Sequence, residues 1–184
     1  MKSLVFVTEN KHKLNIARKK LSDFKIEHVD FTIPEIQSMD PREIVRHKLT
    51  VAYEKVQKPC FVWDVSFGLN CLNGFPGPLI KWFFETVGDE RICRIADEFG
   101  DRGCGYQTVL GYFDGTDTHF LEVSRKGSVP ERPRGTNGFD WDTIFVPQNE
   151  DRTYAEMSFE EKHEHAVAGE LLDKFNSFLH NEKP

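Results

Sequence analysis

The chain opens with Leu4-Val5-Phe6-Val7, a short apolar run of β-branched and aromatic residues of the kind that forms a buried strand in an α/β sheet. It passes through Thr8-Glu9-Asn10-Lys11-His12-Lys13 into Leu14-Asn15-Ile16-Ala17-Arg18-Lys19-Lys20-Leu21. There Leu14, Ala17 and Leu21 fall at the spacing of one helix face. A strand therefore hands over to a helix through a loop carrying a hydroxyl, an amide and three cations. Free N–H groups at a helix N-terminus favour anions, and neighbouring lysines add charge. A nucleoside triphosphate suits such a loop. The plainer alternative is that Thr8 or Asn10 only caps the helix, with the lysines on a solvated face.

A second feature lies further on. Cys60-Phe61-Val62-Trp63 is another β-type run, and it leads to a lone acid, Asp64. Gly74-Phe75-Pro76-Gly77-Pro78 then bends the chain hard before Lys81-Trp82-Phe83. An acid at a strand end near a loop shaped by glycine and proline is a common way to build a metal and phosphate site. An aspartate in a turn is the bland alternative.

The remaining pattern alternates. Strands are expected at 3–8, near 27–31, at 60–64, near 67–72, at 105–114, at 118–126 and at 143–146. Helices are expected at 11–22, from the Asp40-Pro41 cap to about Val56, at 79–86, 89–98, 158–163 and 164–180. Asp114-Gly115-Thr116-Asp117 reads as a hairpin turn. Strands and helices that alternate first, with a hairpin later, imply a mixed α/β sheet rather than a purely parallel one.

Composition narrows the class. The 184 residues, 39% hydrophobic and 29% charged, suit one compact domain or two lobes sharing a sheet. No apolar run approaches the ~20 residues that span a bilayer, and the stretch after Lys2 is too short for a signal peptide. A membrane partner is therefore not expected. Cys60, Cys71, Cys93 and Cys104 show no metal-binding spacing and read as core thiols of a cytoplasmic chain. A net charge of −6 argues against a protein that coats nucleic acid. Positive charge is clustered instead at 11–20 and 125–134, which suits a small polyanion.

Taken in order, these motifs resemble the inosine triphosphate pyrophosphatase family, hydrolases of non-canonical purine nucleoside triphosphates. The resemblance rests on Thr8, Asn10 and Lys13 as T-x-N-x-x-K, on Ile33-Pro34-Glu35-Ile36-Gln37, and on Asp64 with the N-G-F-P-G-P run from Asn73. It continues through Lys81-Trp82-Phe83, Pro133-Arg134-Gly135, Gly138-Phe139-Asp140-Trp141-Asp142, Thr153-Tyr154-Ala155-Glu156-Met157 and Glu160-Glu161-Lys162. It covers nearly the whole of 1–184. It implies a single domain with an elongated mixed sheet in two lobes, an active-site cleft between them, and a homodimer.

The resemblance also implies roles. Asp64 matches the catalytic acid, and Glu35 with Asp64 matches the set that binds Mg²⁺. Thr8, Asn10, Lys13, Lys48 and Lys81 would cradle phosphates. Phe139 and Trp141 would stack on the base, Asp142 would accept from its N–H groups, and Lys162 would approach phosphate and base. Core packing is the plain reading of both aromatics, a surface position that of Glu35, and a solvated helix face that of Lys48. Lys81, set among apolar neighbours in sequence, is unusual for a structural lysine.

Three departures stand out. Where the family carries Ser-His-Arg after its Glu-Lys motif, this chain has Ala166-Val167-Ala168. The lost His and Arg read the 6-oxo group of the base, and losing such a contact costs about ten- to a hundredfold in discrimination. His163 or His165 would be the substitutes, although neither shares the helical direction of residue 168. Trp63 and Val65 stand where an acid and a hydroxyl often flank Asp64, with Ser66 one place too far. Glu9 puts a carboxylate in the phosphate loop, which would repel phosphate unless it points away. Two readings follow: a Mg²⁺-dependent pyrophosphohydrolase with altered or broadened base preference, or a nucleotide-binding scaffold that has lost turnover.

Overall fold

The computed structural model describes residues 2–138 and 140–181. It is a mixed α/β protein with a seven-stranded sheet flanked by helices. The strands are β1 (Ser3–Val7), β2 (Lys25–Val29), β3 (Cys60–Leu69), β4 (Pro76–Gly77), β5 (Gly103–Phe113), β6 (Thr118–Ser128) and β7 (Val146–Pro147). Among the described residues the α-helices are α1 (Lys11–Lys20), α2 (Pro41–Val56), α3 (Ile80–Val87), α4 (Asp89–Glu98), α5 (Phe159–His165) and α6 (Val167–Asn181). The sheet order is β2-β1-β3-β5-β6-β7, with β4 paired to β3 off that path. β1 runs parallel to β2 and to β3, whereas β4 and β7 pair antiparallel with β3 and β6.

Contacts within the chain divide it into two compact units: Met1–Asp64 with Thr108–Val123 and Ala168–Pro184, and Val65–Gln107 with Ser124–Val167. In the first unit, β1 is buried from Leu4 to Val7, as expected of a strand covered on both faces. The alternation of side chains sorts its two faces. Val5, Val7, Cys60 and Val62 pack with Val45, Leu49 and Ala52 of α2. On the opposite face Phe6 stacks on Phe61 (4.4 Å between centroids) and on Trp63 (4.8 Å). Close approach of α2 to β5 depends on Gly111, where a Cβ would come within 2.7 Å of Val45 Cγ1. α2 starts as the sequence dictates: Asp40 Oδ1 accepts from the Arg42 N–H at 2.8 Å, and Pro41 takes the first helical position.

The second unit is organised around aromatic rings. Phe67, Tyr106, Trp141, Phe145 and Tyr154 form one cluster with centroid separations of 4.9–6.5 Å. The bend after β3 uses left-handed backbone at Asn73 (φ 53°) and Gly74 (φ 87°).

Three expectations from the sequence are corrected here. The strands at 60–64 and 67–72 are one strand, β3, because Val65 and Ser66 are compatible with a strand and nothing between them breaks it. Residues 70–72 form a 3₁₀ turn. The strand expected at 143–146 is replaced over 140–144 by a 3₁₀ turn, and Val146–Pro147 pairs with β6. No helix among the described residues is long and apolar enough to cross a membrane.

Candidate active site

Asp64 lies two residues beyond Val62, so period-two alternation turns it toward the face that carries α2. Lys48 of α2 meets it there: Nζ donates to Asp64 Oδ2 at 2.8 Å and also to Glu35 Oε1. The Lys48 side chain is only 12% exposed, while Glu35 is 53% exposed. Burial alone would pull the Lys48 ammonium down. The charge of Asp64 and the hydrogen bonds to Asp64 and Glu35 together outweigh it and hold the group above the ordinary lysine range. The solvated helix face is thus not what Lys48 occupies.

This donor set fits a divalent cation. Two carboxylates already close around one positive charge, the ammonium. Among the described residues no group of three or more His, Cys, Asp or Glu could hold a metal. Mg²⁺ does not require one, since it is commonly held by one or two carboxylates completed by water and substrate phosphates.

The loop after β1 caps the helix that follows it. Asn10 caps α1, its Oδ1 accepting from the His12 and Lys13 N–H groups at 2.9 and 3.0 Å, and Thr8 Oγ1 accepts from the Asn10 N–H at 3.1 Å. These two amides are engaged by the cap rather than presented to an anion. Lys13 reaches β3, where Nζ donates to the Trp63 carbonyl at 3.0 Å, one residue from Asp64. Thr8, Asn10 and Lys13 therefore order the loop and bring one cation beside the Asp64 end. Glu9 is directed to Thr32, whose Oγ1 donates to Glu9 Oε1 at 2.5 Å, which uses one of its oxygens in the segment leading to Glu35. Trp63 faces Phe6 and is 5% exposed, so the position before Asp64 has become core.

Within the second unit, Asp142 is 3% exposed and forms an ion pair with Lys162 of α5. Gly138 (φ 86°) is required beside it, since a Cβ there would run into the Asp142 carboxylate. Trp141 packs in the aromatic cluster against Phe67 and Tyr106 and is half-buried, so packing accounts for much of its ring. Phe139 lies outside the described residues, as do the side chains of His163 and His165. Lys81 is exposed, its ammonium 5.7 Å from the Trp82 ring, so its apolar neighbours in sequence do not bury it. The Asp140 carboxyl is raised above its usual range by desolvation and by Asp142 and Glu85, against the opposing pull of Lys162 and Lys81.

Sequence reasoning missed the groups that hold Lys162 in place. Ser158 and Glu161 form a capping box at the start of α5, and Thr153 and Glu156 form another on the preceding turn. Both were readable as T-x-x-E and S-x-x-E. Tyr106 and Tyr154 join through their hydroxyls at 2.9 Å. Nothing in a single sequence pairs two tyrosines 48 positions apart.

The result is a mixed α/β protein that closes two carboxylates around one cation. A family model, that of the Ham1 family, matches residues 4–178, and the chain belongs to that family. It is 38% identical to the inosine triphosphate pyrophosphatase of Schizosaccharomyces pombe, over 100% of this chain and 98% of that protein. It is 33% identical to a dITP/XTP pyrophosphatase of Methanopyrus kandleri, over 97% and 96%. The fold is that of a HAM1 protein from Coxiella burnetii, with a TM-score of 0.86 at 22% identity, covering 98% of this chain and 99% of that one.

Proposed function

We propose that the chain is a Mg²⁺-dependent nucleoside triphosphate pyrophosphohydrolase, releasing nucleoside monophosphate and pyrophosphate, with altered or broadened preference among non-canonical purines. The observation that carries this reading is the Lys48 ammonium set between Glu35 and Asp64. The names of relatives at 33–38% identity support the substrate class, inosine, deoxyinosine and xanthosine triphosphates.

In this reading Glu35 and Asp64 hold the metal. When bound, Mg²⁺ screens the phosphate oxygens and polarises the phosphoryl group. Asp64 takes the proton of the attacking water. Lys13, Lys48 and Lys81 stabilise the charge that develops on the phosphate oxygens. Asp142 accepts from the base edge, Lys162 pairs with that carboxylate, and Trp141 offers a face for stacking together with Phe139. A cytoplasmic homodimer acting on a small molecule, without nucleic acid or membrane, completes the proposal.

The test is pyrophosphate release with Mg²⁺ from inosine, xanthosine, guanosine, adenosine, cytidine and uridine triphosphates and their deoxy forms. Turnover confined to 6-oxo purines would mean that other residues replace the missing arginine. Turnover on another base would mean that Ala166-Val167-Ala168 has redefined the substrate. Nucleotide binding without turnover on any of them would favour the scaffold, the reading that this triplet and Trp63 support.

A further inference from the structure

We propose that Tyr106 is a positioning residue for the base end of the substrate, acting through the Lys162–Asp142 pair; this rests on the function proposed above. Tyr106 sits on β5 and is 5% exposed. Its hydroxyl accepts from the Val167 N–H at 3.1 Å and is hydrogen-bonded to the Tyr154 hydroxyl at 2.9 Å. Its ring lies 4.9 Å from that of Trp141. One buried side chain thus meets three separate pieces of the site.

Each contact bears on Lys162. Val167 begins α6, and its amide is one of the donors a helix start leaves without an internal partner. By accepting that N–H, Tyr106 fixes the junction at Ala166, where the backbone is extended between α5 and α6 (φ −76°, ψ 137°). The Ala166 N–H in turn donates to the Lys162 carbonyl at 2.8 Å, so the backbone of Lys162 is tied to the same junction. On the side-chain end, Tyr154 places its ring 5.6 Å from Lys162 Nζ, a cation–π contact beneath the ammonium that pairs with Asp142. Tyr106 therefore restrains Lys162 from both ends.

Packing alone does not call for the hydroxyls. Phenylalanine would fill nearly the same volume at either position, and buried hydroxyls are tolerated only when paired, as these are with each other and with the Val167 N–H. The pair specifies geometry, and the geometry it specifies is that of Lys162, Asp142 and Trp141.

The test uses Tyr106→Phe, Lys162→Ala and the double variant in the full chain. KM for inosine triphosphate, kcat, and the Kd for inosine triphosphate without Mg²⁺ are read for each. Tyr106→Phe is expected to raise KM and Kd about fivefold, the worth of one hydrogen bond, with kcat held within about twofold. In the Lys162→Ala background the same change should add almost nothing, because residues acting through one another are not additive. A merely structural role would lower kcat along with raising KM and multiply with Lys162→Ala, and that outcome overturns the proposal; a lower Tm alone is expected either way, since the Val167 N–H loses its partner. Unchanged KM and Kd in Tyr106→Phe, with both raised in Lys162→Ala, would overturn it while leaving the function of Lys162 intact. If Lys162→Ala itself changes neither, the assignment of Lys162 and the proposal fall together. Should Tyr106→Phe not fold, Tyr154→Phe cuts the hydroxyl link while keeping the ring under Lys162. It carries the same expectation of non-additivity, and additive effects would overturn the proposal.

Discussion

Lys48 Nζ donates to Asp64 Oδ2 at 2.8 Å while also bonding Glu35, so one ammonium from a helix neutralises a strand carboxylate and a loop carboxylate together. Removing it leaves the partly buried Asp64 carboxylate and the half-exposed Glu35 without the cation they share. Lys48→Ala is expected to lose about 1–3 kcal/mol of stability and at least ~10²-fold in turnover. Millimolar Mg²⁺ should raise the Tm of the variant more than that of the parent, because the metal takes over the role of the missing charge. Melting curves with and without Mg²⁺ check this, and an equal Mg²⁺ effect on both proteins would tell against a shared cation site.

Asp64→Asn separates chemistry from fold. The amide oxygen still accepts from Lys48, so the melting temperature should change little. Its oxygen cannot take a proton from water, and pyrophosphate release should fall to background. Substantial remaining activity would place the catalytic acid elsewhere.

Glu35 contributes less to folding, being about half exposed. Glu35→Gln should leave the Tm near that of the parent and shift the Mg²⁺ concentration for half-maximal rate sharply upward. A metal titration that superimposes on the parent's would remove Glu35 from the site.

The first half of the fold was legible because its signals are local. An unbroken apolar strand at Leu4–Val7 and the Asp40-Pro41 start of α2 need no distant partner to be recognised. The split of β3 and the strand expected at 143–146 failed for the opposite reason. The break expected at Val65-Ser66 is absent, because β3 runs on through them to pair with β4 at Phe67 and Gly68, a distant contact. Glu35, Lys48 and Asp64 were named from motif order, but the bond that joins them was not visible, since it depends on alternation along β3 meeting one face of α2. The reading of Lys81 as embedded shows the limit of neighbours in sequence: on a helix, adjacent residues face different ways, and this lysine faces solvent.

Glu161 gives a dependence on pH. Its carboxylate accepts from the Ser158 backbone N–H at 2.8 Å and from Arg152 at 2.9 Å, and these bonds lower its pKa from 4.5 to about 2. A depressed carboxylate stabilises the fold above its unfolded value and loses that contribution as the pH falls through the folded one. The Tm difference between the parent and Glu161→Gln should be full at neutral pH, shrink below about 4.5 and vanish near 2. Because Glu161 caps the helix that carries Lys162, KM should rise in the same variant at neutral pH. A Tm difference independent of pH would mean that the cap acts through shape alone.

The last prediction concerns Ala168. Val167 is buried and its amide is held by Tyr106, so the backbone entering residue 168 has a defined start, and Ala168 itself is half-buried on α6. Arginine is nearly as good a helix former as alanine, so the substitution does not threaten the helix. Ala168→Arg restores a fork of donors able to bond a 6-oxo group and to leave a 6-amino group poorly matched. The ratio of kcat/KM for inosine triphosphate over adenosine triphosphate should rise about ten- to a hundredfold, the worth of one charged hydrogen bond. A ratio that does not move would mean that residue 168 is not where the family's arginine stands, and that base preference in this chain is set by other side chains.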